Sequence, residues 1–215
     1  MRNKFDEQLE HLNQELIRMG NCVESAIAAA VKTLTEPDEN LTRKATELEA
    51  DIDEKEREIE RICYKLLLHQ QPVARDLRVI SAALKMITDM ERIGDMAMDI
   101  SEITLSGESL ARLKEPVHIS QMAASTIKMV NDSIEAYVKR DASLAFSVID
   151  ADDQVDALFR TVQDELVKMI RQDRSSGADA LDLLMIAKYF ERIGDHATNI
   201  AEWAVFSIKG EHPAD

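Results

Sequence analysis

The chain has 215 residues, 45% of them hydrophobic but only 4% aromatic, with four prolines, six glycines and a formal net charge of −15. So few aromatics, prolines and glycines argue against a β-rich protein and for a helical core of Leu, Ile, Val, Ala and Met. The charge is spread evenly, −8 over residues 1–107 and −7 over 108–215; such a surface repels phosphate backbones, which excludes nucleic acid as an expected partner and favours cations and basic protein surfaces.

Helical periodicity runs from the start. Phe5, Leu9, Leu12, Leu16, Met19, Val23, Ala26 and Ala30 step alternately by four and three, a heptad seam that predicts a first helix broken at Glu36-Pro37-Asp38. A second helix is predicted from about Asp38 to Gln71 on Leu41, Ala45, Leu48, Ile52, Ile59, Ile62 and Leu66, with a lapse in the seam at Lys55. Pro72 stops it and can open the next helix at its first turn. Val79, Ala83, Met86, Met90, Ile93, Ala97 and Ile100 carry the third, which ends near Ser106-Gly107.

The plan then repeats. Pro116 opens a fourth helix on Ile119, Ala123, Val130, Ile134 and Tyr137. Asp141 is a good N-cap for a fifth on Leu144, Val148, Ala151, Val155, Leu158, Val162 and Met169. A turn at Arg174-Ser175-Ser176-Gly177 leads to a sixth on Leu183, Ile186, Phe190, Ile193, Ala197, Ile200 and Ala204, ending at Lys209-Gly210. The expected fold is therefore all-α, two tandem three-helix bundles, 1–107 and 108–215, related by internal duplication and joined around Gly107 to Pro116. Cys22 and Cys63 fall on the apolar stripes as small hydrophobes, as suits a reducing compartment. No apolar run approaches the ~20 residues of a membrane span, and Met1 to Asp6 does not read as a signal peptide. A cytoplasmic location is the expectation.

The duplication is written most plainly in Glu91-Arg92-Ile93-Gly94-Asp95, which returns letter for letter as Glu191-Arg192-Ile193-Gly194-Asp195. Each copy sets two carboxylates at i and i+4, one turn apart on one helix face, with a glycine between them. The like charges repel, and a mid-helix glycine costs about 1 kcal/mol against alanine; a bound cation is the obvious compensation. Aligning the second helices of the halves brings out a second match, Glu49/Asp53 with Asp152/Asp156. In heptad phase all four pairs fall off the core seam, so two antiparallel helices in each half can bring four carboxylates around one site.

That oxygen-rich, histidine-poor set suits Mg, Ca, Mn or Fe, with carboxylate-bound zinc possible. Asp99 is a secondary ligand candidate, aligned with Asn199. His196, whose counterpart is Met96, reads as a satisfied surface histidine. Acid pairs are common in a chain that is 31% charged, and Glu54/Glu58 and Glu56/Glu60 read as solvated face. Gly94 and Gly194 suit either close helix approach or space beside a cation cluster. No phosphate-cradling glycine loop, nucleophile elbow or zinc-protease motif is present. The Glu-x-x-His spacing of di-iron bundles occurs only at Glu115 to His118, unrepeated, which argues against di-iron redox catalysis.

Two three-helix halves, each with Glu-Arg-Ile-Gly-Asp on its third helix, resemble the PhoU family of phosphate-transport accessory and regulatory proteins. The junction Gln71-Pro72-Val73-Ala74-Arg75-Asp76-Leu77-Arg78 and the stretch Arg192 to Glu202 are similar to that family's most recognisable segments. The resemblance implies that the acid pairs, Glu49, Asp53, Glu91, Asp95, Asp99, Asp152, Asp156, Glu191, Asp195 and Asn199 included, hold multinuclear clusters of Fe, Zn, Mn or Mg, the second one smaller because Asn199 replaces an acid. It also implies a cytoplasmic homodimer that restrains high-affinity phosphate uptake and phosphate-starvation signalling. Its implied partners are the ATPase of the phosphate ABC transporter and a membrane sensor histidine kinase, with membrane association only through them. The alternatives are an accessory of another phosphate transporter, a metal-dependent hydrolase on a helical bundle, and a structural adaptor. The basic residues of the Gln70 to Arg78 junction suit either an acidic partner or local ion pairs.

Overall fold

In the computed structural model six α-helices and one short 3₁₀ turn make up the regular structure of the described residues, which are 2–35, 39–70, 72–106 and 117–213. They are α1 Arg2–Thr35, α2 Glu39–Gln70, α3 Ala74–Ser106, α4 Val117–Lys139, α5 Ala142–Gln172 and α6 Gly177–Lys209. The break at Glu36 to Asp38 and the link from Gly107 to Pro116 lie outside the described residues, as does Glu115 of the Glu-x-x-His spacing. Pro72 does not open α3, which begins at Ala74; the first bond of that turn runs from the Leu77 amide to the Val73 carbonyl at 2.9 Å.

Local chemistry sets the ends. Asp141 caps α5, its carboxylate accepting from the amides of Ser143 and Leu144 at 2.9 and 3.0 Å. Just before it, α4 closes with Arg140 at φ 56°, the Asp141 amide reaching back to the Ala136 carbonyl and the Arg140 amide to Tyr137. That is a Schellman closure with arginine where glycine is usual. Gly210 ends α6 at φ 85°.

All seven seam residues of α3 and all seven of α6 are buried, while Leu9 on α1, Leu41, Leu48 and Ile62 on α2, and Leu144, Ala151, Leu158 and Met169 on α5 are partly buried. One contiguous core draws on every helix. Within each half α2 packs on α3 and α5 on α6, while α3 and α6 pack on each other as extensively as any pair within a half. Low-numbered residues of α3 meet high-numbered residues of α6, Asp89 with His196 and Asp99 with Tyr189, so the two inner helices run antiparallel. The buried Tyr137 hydroxyl donates to the Val79 carbonyl at 2.8 Å and ties α4 to α3.

The lapse at Lys55 has a structural reason. Its ammonium reaches Glu15 of α1 at 2.8 Å and Glu58 at 2.6 Å, and Glu15, only 1% exposed, also takes Arg18 at 2.5 Å. Burial alone would raise the Glu15 carboxyl; Lys55, Arg18 and His11 together hold it below its ordinary value. Cys63 is fully buried, its thiol pushed up to about 12 by that burial, while Cys22 is half-buried.

Candidate metal centres

Two grooves gather the repeated acids. In the first, α2 supplies Glu49 and Asp53, and α3 supplies Glu91 and Asp95; in the second, α5 supplies Asp152 and Asp156, and α6 supplies Glu191 and Asp195. Most of these side chains are half-buried, Glu91 at 21% and Glu191 at 14% exposure, so they sit deeper than an outward-facing flank. The glycines make this possible by close approach of the helices. A Cβ on Gly94 would stand 2.9 Å from Ile52 Cδ1; one on Gly194 would stand 3.4 Å from both Asp152 Oδ1 and Val155 Cγ1.

The acids of each groove feel one another across the helices. Burial first, then Asp53 and Asp95, push Glu49 up; burial, then Asp95, push Glu91 up against the opposing pull of Arg92, with Glu56 and Asp53 adding to the rise. In the second groove burial, then Asp195 and Asp156, push the Asp152 carboxyl up to about 6. Asp195 is raised by burial and by Glu191, with Lys188 opposing. Such mutual repulsion is what a cation placed between the helices would relieve.

As the side chains stand, among the described residues no three His, Cys, Asp or Glu side chains close on one point that could hold an ion. Each groove instead leans on neighbouring bases. Arg57 meets Asp53 at 3.3 Å and Arg92 meets Asp95 at 3.1 Å; Arg160 meets Asp156 at 3.3 Å and Lys188 meets Glu191 at 2.5 Å. The three arginine pairs are exposed-side ion pairs of the weak kind, which reorganise cheaply, whereas Lys188–Glu191 is part-buried.

Asp99 and Asn199 are turned elsewhere. Burial and a hydrogen bond to Asp99 push the Tyr189 phenol up from its ordinary value, and the Asn199 amide donates to Asp89 Oδ1 at 3.2 Å. Both contacts cross from α3 to α6, and under the repeat they are one contact seen twice, with 89 answering 189 and 99 answering 199. His196 is satisfied as expected, its Nδ1 2.7 Å from Asp89 Oδ1. His118 likewise pairs with Glu165 at 2.7 Å.

One acid was misjudged by pattern. Glu56 is half-buried rather than fully solvated: it turns to α3, 3.5 Å from the exposed Thr88 hydroxyl, and burial followed by Asp53 and Glu60 push its carboxyl up. Its place one turn beyond Asp53 was the available signal. Repetition lends it no support, because Phe159 stands at the matching place in α5.

The family model described as PhoU domain matches residues 16–104 and again 119–204, one copy on each half. The chain belongs to the PhoU family. A Clostridium acetobutylicum protein named phosphate-specific transport system accessory protein PhoU homolog is 36% identical over 98% of this chain and 96% of its own. The similarly named PhoU homolog of Pseudomonas aeruginosa is 34% identical over 96% and 86%. Among solved structures, PhoU from Pseudomonas aeruginosa superposes with a TM-score of 0.88 at 32% identity, covering 96% of this chain and all of that one. The phosphate transport system regulatory protein PhoU from Streptococcus pneumoniae gives 0.88 at 25% identity, covering 97% and 98%. The antiparallel α3/α6 arrangement thus belongs to a chain whose two halves are both PhoU domains.

The Pro72 to Arg78 junction that contributed to the resemblance is an apolar end of the molecule. Leu68, Val73 and Leu77 are exposed there beside exposed Arg75. Arg78 lies against Gly210 at the end of α6, its buried Nε without a hydrogen-bond partner. Among the described residues no helix is long and apolar enough to cross a membrane.

Proposed function

We propose that the protein is a metal-binding accessory of phosphate transport that restrains high-affinity uptake and phosphate-starvation signalling through protein–protein contacts. The observation that carries this reading is the gathering of paired carboxylates from two helices in each half of a PhoU-family chain. The transport role rests on the relatives, which are named as accessory proteins of a phosphate-specific transport system.

The residues fit a hard cation. The donors are all oxygens, and Gly194 leaves beside Asp152 Oδ1 the place a Cβ would fill. Glu49, Asp53, Glu91 and Asp95 would hold metal in the first groove, and Asp152, Asp156, Glu191 and Asp195 in the second. Fe, Zn, Mn and Mg are the candidate ions. The ion would supply charge and rigidity, pinning α2 to α3 and α5 to α6. The partners are the ATPase of the phosphate ABC transporter and a sensor histidine kinase, met in part by the apolar end at Leu68, Val73 and Leu77. A homodimer in the cytoplasm is the working form.

Elemental analysis of protein purified without chelator tests the metal part. Glu91→Gln with Asp95→Asn should remove one groove's metal, and Glu191→Gln with Asp195→Asn the other's. A chain that carries none of the four ions, and whose Tm ignores all of them, overturns it. Loss of the gene should raise phosphate uptake and switch on the starvation response in replete medium; unchanged uptake overturns the regulatory part. Pull-downs at low and moderate salt should recover the ATPase or the kinase.

A further inference from the structure

The two grooves are built on one plan, yet their charge differs at several matched places, and at one pair of them the two residues face each other across the helices. Aligning Glu49 with Asp152 sets Glu56 opposite Phe159; aligning Glu91 with Glu191 sets Thr88 opposite Lys188. In the first groove those two positions meet as a carboxylate and a hydroxyl, Glu56 and Thr88 at 3.5 Å. In the second they meet as an ammonium over a ring, Lys188 Nζ 5.4 Å from the centre of Phe159. Lys188 also holds Glu191 at 2.5 Å, and its charge reaches Asp195. Arginines stand at matching places in both grooves, Arg57 with Arg160 and Arg92 with Arg192, and Arg92 reaches Glu91 and Asp95 of the first at 3.5 and 3.1 Å.

We propose that Lys188 is a tethered cation built into the second groove, and that Glu56 is an added ligand of the first, so that the first groove takes metal more tightly. The inference rests on the metal reading above and deepens it. A fixed ammonium among the acids does part of what a metal would do, and it repels an arriving divalent ion. Phe159 holds that ammonium by its ring face and supplies no oxygen. In the first groove the same place offers a carboxylate with a hydroxyl behind it. At these two places the second groove therefore carries one more base and one fewer acid than the first.

Mn²⁺ titration, read by the loss of the free-ion paramagnetic resonance signal, tests this on the full chain. Glu191→Gln with Asp195→Asn leaves the first groove alone; Glu91→Gln with Asp95→Asn leaves the second. The second-groove protein should bind Mn²⁺ roughly tenfold or more weakly. Adding Lys188→Met, which keeps the stem and removes the charge, should recover most of the difference, and Thr88→Lys should weaken the first-groove protein similarly. A readout without metal runs in parallel: Lys188→Met should lower the Tm of the stripped protein, and Thr88→Lys should raise it. Equal affinities, or an affinity indifferent to Lys188→Met, overturn the inference and leave the metal reading standing. Wild-type protein that takes up no Mn²⁺ while another of the four ions loads both grooves equally also overturns it. Failure of every ion to bind overturns both.

Discussion

The first and second halves share a pentapeptide but not the neighbour its glycine meets. Gly94 faces Ile52, and an added Cβ there falls within 2.9 Å of a side-chain carbon; Gly194 faces Val155, one methyl smaller, and the same Cβ falls in ordinary contact at 3.4 Å. Elsewhere the halves diverge in the same sense. The first joins α1 to α2 through a buried charge, Glu15 with Lys55, where the matching place on α5 holds Leu158. A repeat preserved in its letters is thus preserved more loosely in its packing. At these two places the first half is the tighter and the more charged inside, and substitutions there should be the more costly.

The largest test of that difference is Lys55→Leu, which imports the second half's residue. It strands Glu15 with only Arg18 and His11 beside it, and should cost about 2 kcal/mol in chemical denaturation. Glu15→Leu added to it should recover most of the loss. A single variant as stable as wild type would mean that the buried pair is not what sets the α1/α2 joint.

Next come the glycines, which should differ in sign. Gly94→Ala forces Ile52 to move and should cost about 1 kcal/mol net, even after the gain in helix propensity. Gly194→Ala should be neutral or stabilise by up to about 1 kcal/mol. Adding Ile52→Val should rescue Gly94→Ala. Thermal melts of the four proteins decide it, and equal responses at the two glycines would erase the contrast.

The smallest effect is in pH. Asp152 binds its proton more tightly folded than unfolded, its carboxyl standing near 6 against an ordinary value of 3.8. Stability of the metal-free protein should therefore fall as pH rises from about 4 to about 6, then level off. Glu49, Glu56 and Glu91 shift the same way and add to it. Glu15, held below its ordinary value, works oppositely and costs stability only at lower pH. Asp152→Asn should flatten part of the slope; Tm values that rise steadily from pH 4 to 6 in metal-free wild type would contradict it.

Much of this architecture was legible beforehand, because a heptad seam states which face of a helix is buried. Every seam residue of α3 and α6 is in the core. A seam does not say which helix covers the face, so the antiparallel contact of α3 with α6 and the role of Asp89 in it were out of reach. The acids of the grooves were legible where repetition marked them, and Asp53, Asp95, Asp156 and Asp195 are where the alignment put them. Glu56 and Lys188 were illegible for the same reason, being the positions at which the copies disagree. Asp99 and Asn199 were matched correctly as a pair, but the pattern could not reveal that each faces the opposite half.

That exchange, 89 with 199 and 99 with 189, is what becomes of a two-fold symmetric interface when its two identical subunits are fused into one chain. Before fusion any change at such an interface is made twice, and a lysine that helps one groove must appear in the other. After fusion each side mutates alone. Tyr189 against Asp89 and Lys188 against Thr88 are neighbouring places at which the chain has used that freedom, and they stand beside five residues that it has left identical.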